Sequence, residues 1–439
     1  MTPRALTWTG IFRLGLVQAS LGAIVVLVIS TLNRVMVVEY SAPALIPGAL
    51  VALHYLIQMS RPRFGHGADR GGRETPWIIG GIGVLGLGAM VCSLAVVLLP
   101  SDRIAAFALA VAGYVMVGLG VGAAGTTLLV LLAKRVDDAR RAGAATVLWC
   151  CMIFGFALAS GTAGHFLDPY SPRRLLTVVA STASIAMVLT CIAMWRLEGA
   201  RVAGQVAVAP RRAPAHFAEA LRGAWNDRQA RRFTVFVFLS MLAYSAQELL
   251  LEPFAGLVFQ LPVGRSAELS GLMHAGVLLG MVVVGLACSG AKRFASLQGW
   301  TAGGCFSSAL ALLLLASGSV LAPKFPLREA VFLLGFANGT FAVAAIASMM
   351  QLARQGRPGT EGVRMGLWGA AQAVAFACGG LLATLIVDVG RRASGSPSVA
   401  YAVAFTLEGA LFAFAARYAW QLRDARAELA LEGELIHER

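Results

Sequence analysis

Charge is what this chain has least of. Only 13% of its 439 residues are Asp, Glu, Lys or Arg, against a hydrophobic fraction of 58% and a mean hydropathy of +0.74. Soluble domains carry about 25% charged residues, so a water-soluble globule of this length is excluded: it would lack the polar surface to cover itself. The strict apolar-polar alternation of half-buried strands is missing too, which removes a β-barrel from consideration. Absent as well are a Gly-x-Ser-x-Gly elbow, a His/Cys cluster at metal-ligand spacing, and a strand-loop-helix unit that would turn a glycine-rich stretch into a nucleotide cradle. These absences argue against an enzyme, a resident metal and a bound nucleotide. The seven cysteines, Cys92, Cys150, Cys151, Cys191, Cys288, Cys305 and Cys378, lie in or beside apolar stretches and read as small buried hydrophobes, not as disulfides or zinc ligands.

What is present is a series of apolar stretches long enough to cross a bilayer as helices, the element that satisfies its own backbone in lipid. They fall at about 11–37, 44–60, 77–98, 104–133, 143–165, 174–196, 232–257, 268–290, 300–322, 328–354, 364–388 and 398–420. The first is a span, not a removed signal, because the apolar run is long and lacks a cleavage site followed by soluble sequence. A formal net charge of +14 would point to nucleic acid in a soluble protein. Here the bases collect in alternate gaps: Arg61, Arg63, Arg70 and Arg73; Lys134, Arg135, Arg140 and Arg141; eight Arg from Arg196 to Arg232; Lys292 and Arg293; Arg354, Arg357 and Arg364. The positive-inside rule makes those gaps cytoplasmic, with both termini on that side, facing an anionic lipid surface. A nucleic-acid partner is therefore not expected.

The chain divides into an N-terminal six-helix half (1–196), a linker (197–231), a C-terminal six-helix half (232–420) and a tail (421–439). Within the linker, Phe217, Leu221 and Trp225 fall one turn apart, the stripe of a helix lying on the membrane surface. The halves match each other at an offset of 219 or 220 residues. His54 falls on His274, Gly65 on Gly285, Gly120 on Gly339, Arg135 on Arg354, Gly143, Leu148 and Trp149 on Gly362, Leu367 and Trp368, and Asp168 on Asp388. Several matches in order indicate an internal duplication, and an even helix number per repeat keeps both halves in one orientation.

The gap after the second stretch reads Gly65-His66-Gly67-Ala68-Asp69-Arg70-Gly71-Gly72-Arg73. It resembles the loop signature of the major facilitator superfamily, with Glu74 where that family has a base; the bland reading is a basic loop. A closer resemblance, over nearly the whole chain, is to the PucC/LhaA family of light-harvesting complex assembly proteins. It is carried by STLNRVMVVEYSAPALIPGALVALHY (30–55), RPRFGHGADRGGRETPWIIGG (61–81), ARRFTVFVFLSMLAYSAQELLLEPFAGLVF (230–259) and LSGLMHAGVLLGM (269–281). The resemblance implies an all-α major facilitator-like fold of 12 transmembrane helices in two repeats, in the inner, photosynthetic membrane of a bacterium. It implies a non-enzymatic role in assembling the LH1 or LH2 antenna, with bacteriochlorophyll a as possible cargo. The implied partners are the light-harvesting α and β polypeptides, the reaction centre-antenna complex and pigment-synthesis enzymes. A carrier of a porphyrin or another amphipathic solute is the alternative.

Ionisable groups inside a bilayer are costly unless paired or hydrated, so they mark candidate sites. Arg34 and Glu39 fall near the outer end of the first span; Glu248 and Glu252 fall one turn apart toward the outer end of the seventh. A structural lock pairing Arg34 with Glu248 or Glu252 is one reading, headgroup-level placement a second and a proton relay a third. Gly65, Asp69, Arg70, Gly72 and Arg73 of the loop are structural or gating candidates, through tight turning and ion pairs at helix ends. His54 and His274, each in an apolar helix, are candidate ligands for a chlorin magnesium. Ser270-x-x-x-His274-x-x-x-Leu278 resembles the pattern of antenna polypeptides, whereas Leu50 before His54 fits it less well. The alternative for both is a core histidine hydrogen-bonded to its surroundings. The many glycines of the third and fourth spans read as packing faces.

Overall fold

The computed structural model describes residues 6–60, 64, 73–136, 138–198, 225–289, 296–354 and 361–421. Among these residues the chain is all helix: α1 (Trp8–Glu39), α2 (Leu45–Gln58), α3 (Thr75–Leu98), α4 (Arg103–Arg135), α5 (Asp138–Phe166), α6 (Pro172–Met194), α7 (Arg228–Val258), α8 (Val263–Ser289), α9 (Leu297–Leu321), α10 (Leu327–Arg354), α11 (Glu361–Ser394) and α12 (Pro397–Trp420). Eleven are long and apolar enough to cross a bilayer. The exception is α2, whose 14 residues rise only about 21 Å. The expected spans and the observed helices correspond one to one, with ends displaced by a few residues.

The helix ends follow local chemistry. Asp102, Ser171, Asp227 and Ser296 accept hydrogen bonds from the first-turn N–H groups of α4, α6, α7 and α9, the usual remedy for the unpaired donors of a helix start. Two starts are capped from far away. Glu198, just past α6, accepts from the Glu74 N–H (2.9 Å), the Thr75 N–H (3.0 Å) and the Thr75 hydroxyl (2.5 Å) at the head of α3. Asp388 of α11 accepts from the Ala44 and Leu45 N–H groups at 3.0 and 2.8 Å, at the head of α2. Burial raises the Glu198 carboxyl, but its hydrogen bonds to Glu74 and Thr75 outweigh that and hold it below the usual carboxylate range.

Successive helices alternate in direction, so α1 and α7 both run from the end of the bundle near the chain termini to the opposite, distal end. The core of α1–α6 extends across to Leu249 of α7, Val277 and Met281 of α8 and Val343 of α10, and helices α7–α12 enclose a second one. In the first, Gly120 packs on the α3 backbone (2.6 Å from Leu85 N to a Cβ built there). In the second, Phe254 packs tilted on Tyr401 and edge-on to Phe405, and Phe341 edge-on to Phe412. The two sets meet chiefly where α5 packs on α8, α2 on α11 and α1 on α7, with smaller contacts of α1 with α8 and of α5 with α10. This arrangement is compatible with the duplication. Of the surface-helix stripe, Trp225 is exposed, and Phe217 and Leu221 lie outside the described residues.

Candidate functional site

The polar chemistry between the two helix sets collects at the distal end, and one proline organises it. Pro253 lies inside α7 and has no N–H to offer the carbonyl four residues earlier, that of Leu249. Asn33 of α1 supplies the missing donor, its Nδ2 lying 2.6 Å from the Leu249 oxygen, and Ser30 donates to the neighbouring Glu248 carbonyl at 3.1 Å. Both side chains are aimed by an unusual stretch of α1, where π-wound turns at Leu27–Thr31 and Val35–Glu39 flank a single α turn at Leu32–Arg34. Insertions of this kind recur at functional positions.

Arg34, 1% exposed, is the largest charged group in this crossing. Its ion pair is with Glu39, not with Glu248 or Glu252, and this corrects the pairing expected from sequence. The physical reason is the π winding: it brings residues five apart, instead of four, onto one face. The rest of the guanidinium bridges the halves, Nε donating to the Ser266 hydroxyl of α8 at 2.9 Å and Nη2 to the Leu261 carbonyl at 2.7 Å. Gly256 of α7 makes room for it; a Cβ there would stand 3.1 Å from Nη2. Tyr40 and Tyr170 join α1 to the α5–α6 turn through their hydroxyls, 3.2 Å apart.

Glu248 is half-buried with the Tyr244 hydroxyl as its side-chain neighbour. Glu252 is different. It is 0% exposed and neither carboxyl oxygen has a hydrogen-bond partner; its polar neighbours are the Arg34 guanidinium and the Ser30 and Ser270 hydroxyls, of which Ser270 is uncommitted elsewhere.

The two repeat-related histidines are both buried, 1% exposed each, and are held differently. His54 Nε2 accepts from the Gln58 amide at 2.7 Å, so the atom a metal would need is engaged. His274 Nδ1 donates to the Ser270 carbonyl at 2.8 Å, which fixes the tautomer and leaves Nε2 as a bare lone pair with no partner. That is the electronic state of an imidazole ligand. The room is missing. Phe156 of α5 sets its ring perpendicular to the imidazole with centroids 5.0 Å apart. One turn earlier α5 and α8 touch backbone to backbone, a Cβ at Gly271 standing 2.8 Å from Gly161 N. His274 therefore fits a chlorin magnesium by donor chemistry and does not fit the macrocycle in this conformation.

Of the loop signature, Gly65, Asp69, Arg70 and Gly72 lie outside the described residues. Arg73 is exposed, and Glu74 is buried beside Glu198 at the α3 start. Sequence reading missed the bridging roles of Ser30, Asn33, Ser266 and Glu198. Pro253 was the available signal for Asn33, since an internal helix proline always orphans a carbonyl. It also missed Glu408 of α12, 4% exposed with neither carboxyl oxygen partnered. Near the distal end of the first set, an apolar crevice is lined by Met36, Leu50, Cys92, Val96, Phe107 and Tyr114, suited to hydrocarbon and not to a polar solute.

The architecture is that of transporters of the major facilitator type. A nucleoside transporter superposes with a TM-score of 0.69 at 12% identity, covering 94% of this chain and 100% of that one. A D-xylose-proton symporter does so with a TM-score of 0.69 at 13% identity, covering 95% and 98%. Such distant likeness carries the fold alone. In sequence, the chain is 50% identical over 421 residues to the "Bacteriochlorophyll synthase 44.5 kDa chain" of Rhodobacter capsulatus, covering 96% of this chain and 97% of the relative. It is 28% identical to "Protein PucC" of Cereibacter sphaeroides over 92% and 89% of the respective lengths. The family described as "PUCC protein" matches residues 31–426. A chain matched from within its first span to beyond its twelfth belongs to the PUCC protein family.

Proposed function

We propose that the protein is a non-enzymatic assembly factor for bacterial light-harvesting antenna complexes, LH1 or LH2, escorting bacteriochlorophyll a and antenna polypeptides into the ring. The observation that carries this reading is membership of the PUCC protein family over residues 31–426, supported by the 50% identical relative whose name refers to bacteriochlorophyll. The word "synthase" in that name belongs to the relative. No cluster of three or more His, Cys, Asp or Glu able to hold a metal occurs among the described residues.

Docking of single-span α and β polypeptides rests on helix packing, because lipid gives apolar helices little drive to associate and small-residue contacts must supply it. Pigment as cargo belongs in this proposal at the helix surface or an intramembrane crevice, since the α5–α8 contact leaves no room at His274. The reaction centre-antenna complex and pigment-synthesis enzymes complete the proposed partners. The proposed location is the inner, photosynthetic membrane, with both termini cytoplasmic, a placement supported by the distribution of bases.

Deletion of the gene in a phototroph tests the role. Antenna absorption should fall to a small fraction while antenna transcripts and free pigment remain, and a plasmid copy should restore it. Unchanged antenna levels would overturn the proposal. The transporter-type fold supports a second reading, a carrier of a chlorin or another amphipathic solute. Flux of such a solute into vesicles holding the purified chain, with antenna assembly intact in the deletion strain, would favour it.

A further inference from the structure

We propose that Glu408 and three polar side chains at its level form a binding site for a dehydrated monovalent alkali cation, inside the core of the second helix set. This inference stands on the packing of α7, α9, α10 and α12 and does not depend on the antenna-assembly role.

The first observation is a polar layer in an otherwise apolar core. Helix α12 packs on α7 and α9, and α9 packs on α10. Each of the four contributes one polar residue to the layer: Gln247, Glu408, Ser308 and Asn338, none more than 4% exposed. Two hydrogen bonds join three of them. The Ser308 hydroxyl donates to Asn338 Oδ1 at 2.8 Å, and Asn338 Nδ2 donates to Gln247 Oε1 at 2.7 Å.

Neighbouring contacts set the level and the aim of Glu408. Helices α10 and α12 run the same way, and Phe341 meets Phe412 edge-on at 5.5 Å. Asn338 stands three residues before the first ring and Glu408 four before the second, a difference of about 1.5 Å in height. The next residue of α12, Gly409, would bring a Cβ to 3.2 Å from the oxygen of Ala309, the neighbour of Ser308. Glu408 also shares a helix face with Phe405 and Phe412, which turn to Phe254 of α7 and Phe341 of α10. Its carboxyl is therefore aimed into the space the other three line.

The second observation is what the layer lacks and what it has to spare. Neither Glu408 oxygen has a partner, and among the described residues no Lys or Arg of α7–α12 is buried, so no side chain of that set supplies a countercharge inside the core. The uncommitted donor at this level is Gln247 Nε2, a neutral amide; the unpartnered Tyr401 hydroxyl stands seven residues back along α12, beyond Phe405. Acceptors are in surplus. Each amide oxygen takes one hydrogen bond and keeps a second lone pair, and Ser308 Oγ keeps its own after donating its proton. With the Glu408 carboxylate these make an all-oxygen donor set, the kind a hard cation takes. One carboxylate balances one positive charge, whereas a divalent ion would leave net charge at a depth where charge is costly. Gln247 Nε2 is then free to donate to the Glu408 carboxylate.

The test is thermal unfolding of the purified full chain in mild detergent, with sodium chloride replacing choline chloride at constant ionic strength. The melting temperature should rise along a saturation curve, by roughly 3 °C at ten times the half-saturating concentration. Glu408→Gln, which keeps the shape and removes the charge, should melt at the same temperature in both salts. Ser308→Ala should keep the response and raise half-saturation about tenfold. A parent whose melting ignores sodium, as a proton held on Glu408 or a purely structural layer would give, overturns the proposal, and so does a response that survives Glu408→Gln. Should Glu408→Gln fail to fold, equilibrium binding of radioactive sodium decides: the parent must saturate at one ion per chain and Ser308→Ala must bind more weakly, and equal affinities overturn the proposal.

Discussion

The α2–α11 and α5–α8 contacts occupy repeat-related positions and are built from repeat-related residues, yet they hold the halves together by different means. At α5–α8 the backbones touch: Gly161 and Gly164 lie against Gly271 and Gly264, and a Cβ at Gly164 would stand 2.6 Å from the Gly264 oxygen. At α2–α11 side chains intervene, with Gly48 against Thr384, Tyr55 tilted on Phe376 at 5.0 Å, and Asp388 capping the head of α2. Asp168, the repeat mate of Asp388, presses its Cβ toward Gly264 at the head of α8 instead (2.7 Å from a Cβ built there). Two contacts at matching places in the two halves are thus a tight seam on one side and a hydrogen-bonded one on the other. Backbone contact leaves nothing to adjust, whereas a capped helix end can be released and remade.

The sharpest way to break this comparison is to fill each seam. Gly164→Leu should lower stability by about 3 kcal/mol through overpacking against backbone that cannot move aside. Gly48→Ala should cost about 1 kcal/mol, because a Thr384 rotamer change removes the hydroxyl overlap and leaves only its Cβ at 3.0 Å to shift. Thermal unfolding in one detergent compares the two, and equal losses would erase the distinction. Next in size is the proline-linked donor: Asn33→Leu should cost about 2 kcal/mol by orphaning the buried Leu249 carbonyl. Adding Pro253→Ala, which restores an i+4 N–H, should return much of that loss. The same double variant without recovery would show that Asn33 acts otherwise.

Asp388→Ala should cost about 1 kcal/mol, the usual worth of a helix cap, and should loosen α2 selectively, read as faster amide exchange at Leu45–Gln58. Smallest is the pH effect at Glu198, which caps α3 inside one half and so serves as the control for a cap between halves. Its hydrogen bonds lower the carboxyl below its unfolded value. Its contribution is therefore fully present above the ordinary carboxylate range, about pH 4.3, and is lost as pH falls through the folded value. Glu198→Gln should lower the melting temperature slightly at neutral pH, and its difference from the parent should shrink as pH falls through the acid limb.

Much of this was legible in the sequence, and the reason differs by feature. Apolar runs separated by bases placed every helix, because lipid tolerates little else. Composition also singled out Arg34, Glu248, Glu252, His54 and His274, since charged or imidazole side chains in apolar stretches are few. Partners were harder to read. The Arg34–Glu39 pair depends on a π turn that no residue type announces, and the carboxylate that Glu248 or Glu252 was expected to supply comes from the same helix. The histidines carry a readable difference: four residues on stands Gln58 in one repeat and Leu278 in the other. That single position engages His54 Nε2 and leaves His274 Nε2 bare. Asp388 was visible only as a repeat match, because a cap 344 residues away leaves no local mark.

Purification in mild detergent from phototrophically grown cells tests the assembly role most directly, by joining an absorption spectrum to the identity of co-purifying polypeptides. Assembly of the antenna predicts that light-harvesting α and β polypeptides come with the chain, together with bacteriochlorophyll a. A preparation holding neither antenna polypeptide nor pigment would contradict it.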